Sequence, residues 1–144
     1  MLRFQSDDDF VEIDLIEQVP AGQPDTGNAQ LSVRVSSAGF AGHSQSWVEL
    51  ERLQSFCRGL VALGRVRRGE AAIESMSPKE LILKIRSSDL LGHMSIEGST
   101  GRGVFQLAAE TWWAWHAVHF GFEFDPSQLV AAIRVDWVKR NAET

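Results

Sequence analysis

The chain has a single cysteine, no long apolar run, no surplus of positive charge and no serine set in a glycine-flanked elbow. Each absence excludes something. Cys57 alone cannot close an intramolecular disulfide and lies in a segment of helical period, so it reads as a small buried hydrophobe in a reducing compartment. A transmembrane helix needs about 20 consecutive apolar residues, none of which is found, and the opening MLRFQSDDDF lacks the apolar core of a secretory signal. The expected address is the cytoplasm, with no membrane partner. A net charge of −5 disfavours non-specific attraction to nucleic acid and permits a basic partner, though sign alone names none.

The usual catalytic signatures are missing too. Gly98, Gly101 and Gly103 do not open a helix and no lysine-hydroxyl pair follows them, so they read as a hairpin turn, GSTGRG, rather than a phosphate cradle. His116 and His119 are three apart in an extended segment and project to opposite faces, which argues against a shared metal ion; His43 and His93 stand elsewhere. Asp14, Glu17, Glu74 and Glu97 read as solvated strand faces rather than an acid-base pair. The expectation is a protein without enzymatic activity, metal or cofactor.

What is present is enough apolar residue, 44% of 144, for one core and one domain spanning 1–144. The segment WWAWHAVHFGFEF, residues 112–124, organises it. At the two-residue period of a strand, Val118, Phe120, Phe122 and Phe124 form one apolar face. Trp113, Trp115, Ala117, His119, Gly121 and Glu123 face the other way, where the core does not account for two indoles. Either a partner or a loop of the chain itself, residues 20–29 or the glycine segment, has to cover them.

Before this segment, FVEIDLIEQV and QLSVRVSS alternate as strands separated by the turn-rich PAGQPDTGNA, and a short third strand covers residues 40–43. Ser46 and Glu49 form a capping pair for a helix with Leu50, Leu53, Phe56, Cys57, Leu60 and Leu63 on one face, ended by Gly64 and followed by Arg65, Arg67 and Arg68. AAIESM and ELILKIRS make a hairpin about Ser77-Pro78; LGHMSIEG and VFQLAAE are further strands. Asp125-Pro126-Ser127-Gln128 starts a last helix that buries Leu129, Ala132, Ile133 and Trp137. Without regular strand-helix alternation, the class is α+β: a twisted, mostly antiparallel sheet of about six to eight strands with two helices packed on one face.

The succession LSVRV, WVELERLQSFCRGL, ELILKIRS, GHMSIEG and FGFEFDPSQLVAAI, over residues 31–133, resembles the WapI-like immunity proteins of bacterial polymorphic toxin systems. Residues 98–115 depart from that pattern, being longer than a compact hairpin. The resemblance implies a cytoplasmic, non-enzymatic protein that binds and neutralises a toxin, with no catalytic residues to carry over. Trp113, Trp115 and His119 are the candidate partner-binding residues. A second reading is a small enzyme or ligand-binding domain with His93, His116 or His119 beside an acid in a pocket between sheet and helix. Pairing of edge strands into a homodimer is compatible with either.

Overall fold

Alternation of apolar and polar side chains builds the first sheet. In the computed structural model, which describes residues 1–143, β1 (Leu2–Ser6), β2 (Asp9–Gln18), β3 (Ala29–Ser37) and β4 (Phe40–Val48) form an antiparallel meander. Leu2, Phe4, Val11, Ile13, Leu31, Val33 and Val35 are buried on one face, and Arg3, Glu12 and Arg34 pair across the other. β1 lies outside the expected set. The acidic run read as an approach to the first strand is instead a turn, with Asp7 at φ 52°, that folds β1 back on β2. The free edge of β1 is met by Gln128, whose side-chain amide accepts the Gln5 N–H and donates to the Gln5 carbonyl, each at 2.8 Å.

α1 (Leu50–Val66) buries Leu53, Phe56, Cys57, Leu60 and Leu63, as its period predicts, but neither expected end is used. Ser46 remains in β4, opposite Leu31, with its hydroxyl buried; the Leu50 N–H donates to Asn28 Oδ1 at 3.1 Å, so the loop before β3 caps the helix. Strand pairing overrides the local capping signal. At the other end, Arg67 takes the left-handed conformation at φ 59° and its N–H bonds the Leu63 carbonyl, whereas Gly64 stays helical beneath Ile133.

β5 (Glu70–Glu74), β6 (Leu81–Ser87), β7 (Met94–Gln106) and β8 (Thr111–Phe124) form a second antiparallel meander. The α+β class and the eight strands agree with the expectation, but they divide between two sheets of four instead of one. The same order, four strands and then helix, thus occurs twice, although no repeat is legible in the residues. The sheets cross at one corner, where β4 passes Val118 at Gly42, bonds Thr100 through the Ser44 hydroxyl, and accepts the Met76 N–H at the Trp47 carbonyl. Phe4 and Phe124, one from each sheet, meet with ring centroids 4.9 Å apart, and all the buried apolar residues join one core.

The last helix is broken into α2 (Gln128–Ala132) and α3 (Asp136–Ala142), with Val135 extended between them. Ile133 still has helical backbone at φ −73° and ψ −8°, and the break falls at Val135, at φ −65° and ψ 129°. Asp125 accepts the Ser127 N–H at 2.8 Å, and Leu129, Ala132 and Trp137 are buried as expected, whereas Ile133 is half-buried. Among the described residues no helix is long and apolar enough to cross a membrane.

Candidate functional site

β7 and β8 outrun the sheet that carries them. β6 pairs with β7 only from Met94 to Thr100, while β7 and β8 remain paired as far as Gln106 and Thr111. Residues 101–117 therefore leave the sheet as a two-stranded arm, closed by a 3-10 turn at Leu107–Ala109 and Glu110 at φ 50°. The turn expected at GSTGRG is a continuous part of β7.

The glycines have another use. A Cβ on Gly103 would stand 2.6 Å from ring atoms of both Trp112 and Trp115, and one on Gly101 would stand 2.8 Å from Trp115 Nε1. Bare backbone at these two places is the seat on which the indoles lie. Pairing across the arm is what brings them together, since Gly103 stands opposite Trp115 and Gly101 opposite Ala117.

Residues 112–124 are extended, and Phe120 and Phe124 are buried, as the period predicts. Within the arm the alternation breaks. Val104 pairs with Ala114 but Phe105 pairs with Trp112, so Trp113 is the extra residue of a bulge. Trp112, absent from the expected set, joins Trp115 at 6.3 Å and 74° between rings, and Phe105 meets Trp112 edge-on at 5.4 Å. Trp112, Trp113 and Trp115 are 64%, 71% and 38% exposed, so residues 20–29 do not cover them. His119 is exposed beside Ser99, on the same side of β8 as Trp115.

A cavity of about 550 Å³ opens between the arm and the β5–β6 turn, lined by Pro78, Lys79, Glu80, Trp112, Trp113 and Trp115. Glu80 is held there through its backbone: its carbonyl accepts the Gly101 N–H at 2.9 Å and the Thr100 hydroxyl at 3.4 Å. Its carboxyl has no ion pair or hydrogen-bond partner among the described residues, and burial raises its pKa above the usual value. Lys79, exposed at φ 70°, stands on the rim.

A second cleft, about 440 Å³, lies between β4 and the other face of the arm and is lined by His43, Ser44, Thr100, Arg102 and His116. The histidines do not otherwise converge. His93 pairs with Asp89 beyond the opposite end of β7, His43 bonds the Ser32 hydroxyl at 2.8 Å, and His116 and His119 fall on opposite faces. No three His, Cys, Asp or Glu residues among those described are grouped to hold a metal. Of the four acids weighed from the sequence, Asp14 faces the N-terminal amine at 3.8 Å, Glu74 faces Arg52 at 4.0 Å and Glu97 faces Arg86 at 3.4 Å, while Glu17 is exposed on β2.

Of the residues named from the sequence, Trp113 and Trp115 line the cavity between the arm and the β5–β6 turn and His119 does not, while Trp112 and Glu80, which the sequence reading did not single out, line it with them. The spacing Gly101-x-Gly103 was the available signal, since two residues without side chains on one strand face leave room for rings from its neighbour. No family model, curated protein or solved structure matches the chain.

Proposed function

We propose that this is a non-enzymatic protein-binding domain whose contact surface is the aromatic arm, in the manner of the immunity proteins it resembles. The observation that carries the reading is the exposure of Trp112, Trp113 and Trp115 on a strand pair that projects beyond its sheet. Solvent-exposed indoles grouped on one element cost solubility and return nothing to the core, whereas at an interface they offer large, rigid area. The net charge of −5 suits a basic partner such as a toxin domain.

The test is to search beside the gene for an encoded toxin domain and to measure its binding to this chain, with Trp113 and Trp115 both replaced by serine. Affinity should fall by roughly 100-fold or more, the scale of losing interface anchors, with the circular dichroism spectrum unchanged. Full affinity in a folded double variant would remove the arm from the interface. The alternative, a ligand pocket using histidine and an acid, finds little support, because His93 and His119 line neither the cleft beside His116 nor the cavity beneath the indoles, and the described residues lining the His116 cleft include no acid.

A further inference from the structure

We propose that the cavity between the arm and the β5–β6 turn is a cation site, which takes an arginine side chain of the partner against the indoles with Glu80 as its counter-ion. This rests on the arm being the contact surface and adds the chemistry of what it contacts.

Two features of the cavity point to a cation. Trp112 and Trp115 meet edge to face at 6.3 Å and 74°, and both line the cavity while staying 64% and 38% exposed, so indole surface is left over for an occupant. A guanidinium lies flat on an indole and is attracted by its negative face. The second feature is Glu80, which lines the cavity with a carboxylate partly stripped of water and without an ion pair or hydrogen bond among the described residues.

Charge decides between occupants. An apolar segment filling the cavity would remove more water from the Glu80 carboxylate and supply nothing in exchange, so its gain on the indoles would be offset by an unpaired, more deeply buried charge. A guanidinium covers the same rings and supplies the missing donors. Lys79 is the one cation among the described residues that line the cavity, and as an exposed, long side chain on the rim it can turn to solvent when the site fills. The chain's overall negative charge favours the same occupant.

The probes are N-acetyl-arginine amide and its uncharged counterpart N-acetyl-norleucine amide, titrated into the whole protein while tryptophan fluorescence is followed. The arginine amide should give a saturable, roughly millimolar response that weakens roughly fivefold in Glu80→Gln and is lost in Trp112→Ala, with the norleucine amide much weaker. Circular dichroism of each variant identifies loss of fold. An undiminished response in folded Glu80→Gln, equal binding of the norleucine amide, or no saturable response to the arginine amide would overturn the proposal. Failure here, with partner binding still dependent on Trp113 and Trp115, removes the cation site and leaves the protein-binding reading intact. Retention of partner affinity in the folded double serine variant overturns the arm as contact surface, and with it the partner's arginine as occupant, even where the native protein binds the arginine amide.

Discussion

Cys57 lies among Leu53, Phe56 and Leu60 on the covered face of α1, and burial pushes its thiol up to about 12. The thiolate is the reactive form, so the folded protein should not react with an aromatic disulfide reagent at neutral pH, and one equivalent should react on unfolding in guanidinium. Rapid modification of native protein would show that α1 opens locally. Helical spacing alone was enough to assign this residue, because a 3.6-residue period names the covered face without reference to what covers it. Gly101 and Gly103 are the opposite case. A glycine marks either a turn or a close approach, and only the rings of Trp112 and Trp115, arriving from β8, distinguish the two.

At the scale of the element, the β6–β7 turn carries its own pH dependence. Asp89 accepts the Leu91 N–H at 2.7 Å and the His93 N–H at 3.3 Å, and its other oxygen meets the His93 imidazole. The hydrogen bond from His93, ahead of the backbone donors, lowers the Asp89 pKa; the same bond, followed by the Asp89 charge, raises that of His93 above 6.5. The raised histidine contributes fully below its ordinary value and is lost as pH rises through its folded midpoint. The lowered carboxylate contributes above its ordinary value and is lost as pH falls through its own folded midpoint. The turn is therefore tightest where both are charged. NMR titration should place the His93 midpoint above 6.5 and return it toward that value in Asp89→Asn. The Leu91 and His93 amides should lose protection, corrected for intrinsic exchange, as pH rises through the native midpoint. An unmoved His93 midpoint in the variant would remove the pair as the cause. Both groups are exposed, so global stability should barely change.

At the scale of the whole molecule, net charge and fold separate into different observables. With a basic partner, the association rate should fall steeply as salt shortens the screening length from about 30 Å at 0.01 M to about 8 Å at 0.15 M, while dissociation changes little. An association rate insensitive to salt would rule out electrostatic complementarity. Periodicity carried the assignment of the strands and of the outward indoles, because each strand's covered face is written in every second residue. The chain by itself therefore determined the α+β class, the covered face of α1, and the extended run that turns Phe120 and Phe124 inward. Only the tertiary structure decided that eight strands split into two crossing sheets, that Asn28 rather than Ser46 caps α1, and that a bulge brings Trp112 to Trp115 above two glycines and beside Glu80. Those outcomes depend on pairing register and on contacts between residues distant in the chain. A local pattern specifies which way a side chain points, but not what meets it there.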